Sequence, residues 1–411
     1  MKIQTSYDAL ISALNTVMAT FTDKSVGVDL QTIVLQATEQ GCTMCTGTCD
    51  THCITVLETK KVEGECSINI PSKALYNALM GYAGLHTTIV ESVMLEVNDE
   101  TGALSLTVRE VPKEDAEDET AETNTAKATE SVIRLQTVKM QNVHFDMLKT
   151  LEKQLQIDNA AYTTIETSEI MKYLQAALPA IPADENYENL ASRITFDEEY
   201  VYVVPRVYAL LMKNTLPEVL RHIIIKKTMA QFLKVYLKGT EKVQVCVQEY
   251  AKIGSVTQIT IKTENSLATM RAYSTAKKFD ITTFINMPAN RVVINKAYFM
   301  DILRRLNCIG EEVYIRVDCD AKNVELANAV THQSIGAMAV EGTGLYEFVL
   351  MPDVLTKLVT ANGISIGEKL CICVEKSEDG RTITLGITDD TQMWHTKIKD
   401  MLVQRGDFAW N

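Results

Sequence analysis

No apolar run in the chain approaches the roughly 20 residues that cross a bilayer, so no membrane span is expected. The first residues, MKIQTSYDAL, lack a basic stretch followed by an apolar core, and no export signal is expected from them. No G-x4-G-K-[ST] phosphate loop, G-x-G-x-x-G fingerprint or H-E-x-x-H motif occurs. GISIGEKL (363–370) has the wrong spacing for a phosphate loop and follows a helical segment instead of a strand. The six histidines, at 52, 86, 144, 222, 332 and 395, are scattered and form no triad-like pattern. Carboxylate runs such as DEE (197–199) fall in turns, where solvation accounts for them. These absences leave no constellation for catalysis, so neither enzyme activity nor a cofactor is expected.

What is present describes a globular chain with more than one core. It has 411 residues, 46% hydrophobic and 23% charged. Without an export signal, its ten cysteines read as reduced thiols of a cytoplasmic protein. The net charge of −13 is partly local. The stretch 112–130, PKEDAEDETAETNTAKATE, holds seven acids against two lysines and buries too little to order itself, so a mobile surface loop is expected. The sign of the whole chain therefore decides little, and charge has to be read element by element.

One arrangement recurs six times: a short strand, a helix of about three turns, then alternating strands. The helices are expected at 6–21 (capped by Ser6), 71–84 (opened by Pro71, closed by Gly84), 167–178 (capped by Thr167 or Ser168, stopped by Pro179), 227–239, 295–307 (capped by Asn295) and 352–363. Their starts lie roughly 60 residues apart once the acidic loop and the connector 141–156 are set aside, unlike a helical solenoid. The fold class is therefore α+β, with six half-domains paired into three domains. The boundaries expected are 1–141, a connector 142–157, 158–286 and 287–411.

GCTMCTGTCDTHC (41–53) poses a separate question, because four cysteines and a histidine there resemble a metal site. On one straight strand Cys45, Cys49 and Cys53 would share a face, neighbours about 13 Å apart. A zinc ion holds thiolates at about 2.3 Å, so only a tight turn could gather them. Packing of small apolar side chains is the leading reading; zinc and redox roles stay open beside it.

The basic residues admit two readings. Lys24 follows the first helix; Lys73, Lys172, Lys227, Lys234 and Lys238 lie on the second to fourth; Lys296, Arg304, Arg305 and Lys357 lie on the last two. They are either ordinary solvated faces or a positive lining made by helices that converge, suited to sequence-independent contact with phosphates.

The order of elements across all six units resembles the bacterial β-type DNA polymerase sliding clamps. Local similarities are NIPSKALYNAL (69–79), TSEIMKYLQAAL (167–178), VINKAYFMDILRRL (293–306) and GTCDTHCITV (47–56), where Thr48 and Asp50 match a Thr-x-Asp turn. The acidic loop and the tail KIKDMLVQRGDFAWN (397–411) depart from the family's pattern, and a phage-encoded clamp fits as well as a cellular one. The resemblance implies a homodimeric ring around double-stranded DNA, with helices lining the hole and sheets outside. It implies no enzyme activity, and as partners a replicative DNA polymerase and a clamp loader, in the cytoplasm of a bacterium or a phage-infected cell. It also implies an apolar groove for partner peptides, formed by Leu174, Leu178, Val204, Pro205, Met287, Pro288, Ile398 and Met401. Phe408 and Trp410 in the tail could dock there. The alternatives are a metal-binding nucleic-acid enzyme using Cys42–Cys53 and a structural assembly protein.

Overall fold

The computed structural model describes residues 1–22, 32–48, 50–85, 88–98, 103–112, 128–137, 162–181, 193–204, 208–249, 256–274, 281–307, 312–328, 330–350, 368–378, 382–388 and 392–399. The first part of the chain forms β1 (Lys2–Thr5), α1 (Tyr7–Met18), β2 (Thr32–Thr38), β3 (Gly41–Gly47), β4 (Thr51–Leu57), β5 (Lys61–Glu63), β6 (Cys66–Pro71), α2 (Ser72–Met80), β7 (Thr88–Asn98), β8 (Ala103–Pro112) and β9 (Thr129–Gln136). Next come β10 (Thr163–Glu166), α3 (Thr167–Ala180), β11 (Arg193–Phe196), β12 (Tyr200–Val203), β13 (Tyr208–Lys213), β14 (Ile223–Lys226), α4 (Lys227–Tyr236), β15 (Lys242–Glu249), β16 (Val256–Lys262) and β17 (Ser266–Ser274). The last part holds α5 (Thr282–Ile285), β18 (Asn290–Asn295), α6 (Lys296–Asn307), β19 (Val313–Asp318), β20 (Asn323–Ala327), β21 (His332–Gly336), β22 (Ala339–Glu341), β23 (Leu345–Leu350), β24 (Lys369–Lys376), β25 (Thr382–Thr388) and β26 (Gln392–Lys399). The architecture is α+β, as expected. The helix expected at 352–363, the connector 142–157 and most of the acidic loop lie outside the described residues. That loop joins β8 to β9, which pair Glu110 with Thr129 just before it.

Four helices start with no residue between them and the preceding strand: β6 runs into α2, β10 into α3, β14 into α4 and β18 into α6. At these junctions the first helical residue turns into the domain, so Ser72, Thr167 and Lys296 are all buried. The expected caps hold at two ends. Ser6 Oγ accepts from Ala9 N at 3.1 Å, and Asn295 Oδ1 accepts from Tyr298 N at 2.9 Å. At α3 neither Thr167 nor Ser168 caps; the N-cap is Glu166, without a side-chain bond. Pro179 stands in the last turn and not beyond it, so its missing N–H ends the helix one residue later, at Ala180. Helix α2 stops at Met80, and Gly84 closes the following turn at φ +71°, a conformation that favours glycine.

The chain divides into two compact units, one of Met1–Ile165, Gln231–Gln248 and Gln258–Arg271, the other of the remaining residues; the 158–286 segment contributes to both. In the first unit one antiparallel sheet has the order β5-β1-β7-β8-β9. A second runs β6-β2-β3-β4-β17. Helix α1 buries Leu10, Leu14 and Val17, each residue contributing about 1.5–3 kcal/mol, and contacts strands of both sheets. In the second unit a continuous antiparallel run has the order β14-β11-β12-β13-β26-β25-β24-β18-β22. A separate sheet there has the order β21-β20-β19-β23. Helix α6 buries Phe299, Ile302, Leu303 and Leu306.

Candidate functional site

The cysteine-rich stretch is a β-hairpin. Thr48 holds its turn: Thr48 N donates to Thr51 O at 2.7 Å, and Thr48 Oγ1 accepts from Asp50 N and Thr51 N at 3.4 and 3.2 Å. Two strands and a turn are what the sequence reading placed here. The turn does not gather the thiols, because cross-strand partners share a face. Cys45 opposes Ile54 and so faces one side, in a row Val34–Cys45–Ile54–Leu267 across four strands. Cys53 opposes Thr46 and faces the other side, where its Sγ donates to Thr16 O of α1 at 3.9 Å. Cys42 shares that second face but pairs four residues from Thr46, opposite Leu57. Burial, aided by Cys66, pushes the Cys42 thiol up to about 12, and burial raises Cys53 well above its ordinary value. Protonated thiols divided between two faces are packing groups. Cys49 lies outside the described residues.

The basic residues separate by position along their helices. Lys296, the first residue of α6, is 6% exposed, so little of its side chain is open to a ligand. Lys227, the first residue of α4, is half-buried and donates to Ile181 O at 3.2 Å. Lys172 is held by Glu169 at 2.5 Å and Thr215 at 2.7 Å, so much of its charge is already compensated. Lys73, Lys234, Lys238, Arg304 and Arg305 are exposed. Arg304 reaches Asp301 at 3.5 Å, and Arg305 Nε donates to Asp301 O at 3.1 Å, which orients both guanidinium groups on one turn. The exposed positions of α1 are Asp8, Ser12 and Asn15, without a base among them. Lys238 and Lys242 line a cleft of about 810 Å³ with Asp8, Glu58, Glu241 and Glu264, where acids outnumber bases. That cleft is therefore unsuited to phosphate. Lys24 and Lys357 lie outside the described residues.

The residues expected in an apolar groove lie on several elements. Val204 packs with Tyr202, Ala209, Leu211 and Ile281 on one face of β12–β13, with Ile285 of α5 against it. Val201, Val203, Leu210 and Met212 have the opposite parity and are also buried, so this sheet is covered on both faces. Leu174, on α3, is fully buried, and Leu178 is half-buried. Met287 and Pro288 sit over Gly386 of β25: a Cβ there would lie 2.5 Å from Met287 Sδ and 3.1 Å from Pro288 Cδ. Ile398 pairs with Ile383. Pro205 and Met401 lie outside the described residues, as do Phe408 and Trp410.

Strand pairing between distant segments recurs in one pattern. Strand β4 pairs with β17 (Ile54 with Leu267, Thr51 with Met270), and β13 pairs with β26 (Leu210 with Trp394). In both, a strand early in one segment adds antiparallel to the last strand of the next. Among the described residues, their counterparts β21 and β9 are terminal strands in their sheets. Val132 on β9 is 59% exposed, and Val330 and Met338, flanking β21, are 73% and 55% exposed. The sequence signal for this was the apolar residue at both parities of TESVIRLQ.

These features define a clamp-type α+β fold of repeated strand–helix–strand units. Solved structures of DNA polymerase sliding clamps are among those it matches. The β subunit of DNA polymerase III from Thermotoga maritima matches with a TM-score of 0.68 at 12% identity, over 97% of this chain and 98% of that one. The sliding clamp from Bacillus subtilis gives 0.68 at 13% identity, over 96% and 98%. The Helicobacter pylori β clamp bound to a DNA ligase peptide gives 0.66 at 13% identity, over 97% and 99%. No protein-family model and no curated protein matches the sequence. No helix among the described residues is long and apolar enough to cross a membrane.

Proposed function

We propose that the protein is a DNA sliding clamp, a processivity factor that encircles duplex DNA and tethers a replicative polymerase by topology. The observation that carries this is the repeated junction. Strand β4 with β17, and β13 with β26, join successive segments in one way, and among the described residues β21 and β9 are left as a pair of the same kind. Joining β21 of one copy to β9 of another, and the reverse, closes a two-fold dimer and removes both edges. The exposed Val132, Val330 and Met338 would be covered there. The chain then comprises three domains, 1–141, 158–286 and 287–411, and the ring six. Exposed Lys73, Lys234, Lys238, Arg304 and Arg305 supply sequence-independent attraction for the backbone.

A clamp loader and a replicative polymerase are the partners of this reading, and a phage-infected cell is as suitable a setting as a bacterium. A partner peptide would enter beside Val204, Ile281, Ile285, Met287 and Pro288, the wall that α5 and the following connector build. The decisive experiment compares retention on circular and linear DNA. A closed dimer, twice 45.8 kDa and constant with concentration, should stay on circles and leave after linearisation. Equal release from both topologies would reject encirclement. Val132→Asp should give monomers that are retained on neither.

A further inference from the structure

Cys371 and Cys373 stand two residues apart on β24, on the same face, with their Sγ atoms 3.7 Å apart. Cys373 lies across from Arg291 of β18 on one side and Gly386 of β25 on the other. The alternate residues Leu370, Ile372 and Val374 are buried together with Val292 and Ile294, so the thiols take the opposite face of the sheet from this apolar set. Met287 and Pro288 cover that face at Gly386, whose lack of a side chain admits the Met287 thioether beside Cys373.

The charged groups facing the pair are Arg291 and Glu341, which approach each other to 3.5 Å. The Arg291 Nε is buried and has no hydrogen-bond acceptor among the described residues, so a negative sulfur beside it would be favoured. The local electrostatics agree with this geometry. Hydrogen bonding from Cys373 and the guanidinium of Arg291 hold Cys371 below the usual thiol range, and the same bond raises Cys373. Burial instead raises Cys42, Cys53, Cys246 and Cys319. Two neighbouring thiols, one poised as thiolate and one protonated, are the parts of a peroxide-reactive centre.

We infer that Cys371 and Cys373 form a redox-active dithiol that a small peroxide oxidises reversibly to an intramolecular disulfide. The Cys371 thiolate attacks one peroxide oxygen; the O–O bond breaks, hydroxide leaves and takes up a proton, and Cys371 becomes a sulfenic acid. The Cys373 sulfur then attacks the Cys371 sulfur, its proton goes to the departing hydroxyl, and water leaves as the S–S bond forms. Two thiols lose two electrons and two protons, and hydrogen peroxide becomes two waters. The residues are 6% and 2% exposed, which selects a small oxidant over a protein or glutathione disulfide. Strand geometry sets their Cα atoms about 6.6 Å apart, near the upper limit for a disulfide, so closure pinches β24 and leaves a readily reduced bond.

The test treats the full chain with hydrogen peroxide at pH 7, then unfolds, alkylates and digests it with trypsin. The peptide LCICVEK (370–376) should appear two hydrogens lighter and unalkylated, and dithiothreitol should restore it. Cys42 and Cys53 should remain alkylatable. Cys373→Ser should stop at a sulfenic acid that dimedone traps, and Arg291→Gln should slow the reaction about tenfold. Two alkylatable thiols on 370–376 after peroxide exposure, or oxidation no faster than that of Cys42, would overturn the proposal. The wild-type measurement needs no variant and holds whether or not the ring reading stands.

Discussion

Helices α1 and α6 have the same length, follow a strand and bury one stripe, yet only α6 carries bases on its outer face. Helix α1 buries Leu10, Leu14 and Val17 and exposes Asp8, Ser12 and Asn15. Helix α6 buries Phe299, Ile302, Leu303 and Leu306 and exposes Tyr298, Asp301, Arg304 and Arg305. The fold constrains the inner stripe, because cavities there cost whole kilocalories, while surface changes usually stay within about 0.5 kcal/mol. Charge on the outer face is therefore free to serve binding. It is unevenly distributed: the exposed bases on helices α4 and α6 outweigh the lone Lys73 of α2 and the baseless face of α1.

Equality of the inner stripes gives the largest expected effects. Leu14→Ala and Leu303→Ala, both fully buried, should each destabilise by about 2–5 kcal/mol. Urea unfolding followed by a probe in each unit measures both, and a cost below about 1 kcal/mol at either site would break the comparison at its root.

Alkaline pH should then separate the floors on which the helices rest. Beneath α1 lie the thiol-bearing strands β3 and β4; beneath α6, β18 offers Val292 and Ile294. Cys42 is held at about 12 in the folded chain against an ordinary value near 9. A folded value above the unfolded one means stability fully present below pH ~9 and lost as pH rises toward 12. By pH 11 this amounts to about 2–3 kcal/mol. Cys42→Ala should flatten that loss relative to its own stability at pH 7. Unchanged alkaline lability in the variant would assign the effect to other groups, such as Tyr236, whose burial also raises it.

Much of the architecture was legible in the sequence, for reasons visible at particular residues. The spacing of Leu10, Leu14 and Val17 set α1, and Asn295 marked the start of α6, because periodicity and caps are local signals. The inward turn of Lys296 was not legible. It depends on a strand running into a helix without a break, and a lysine there looks like any surface base in the sequence. Nor could pattern show that Cys45 and Cys53 face opposite ways, since one turn residue decides the parity of everything after it. The pairing of β4 with β17 joins residues some two hundred positions apart, beyond any local signal.

The outer faces supply the finest test. If the duplex rides on the exposed bases, Arg304→Ala with Arg305→Ala should lower the slope of log affinity against log salt by about 0.9 for each phosphate no longer neutralised. Stability should change little, since both side chains are exposed. The reciprocal variant, Asn15→Lys, adds a base to the exposed face of α1. A gain in slope of up to about 0.9 would mean that α1 faces the duplex and merely lacks charge. No gain, with the α6 decrease intact, would mean that the path of the DNA passes over only part of the helical surface. The two variants together distinguish a helix that is turned away from one that is turned inward but electrostatically silent.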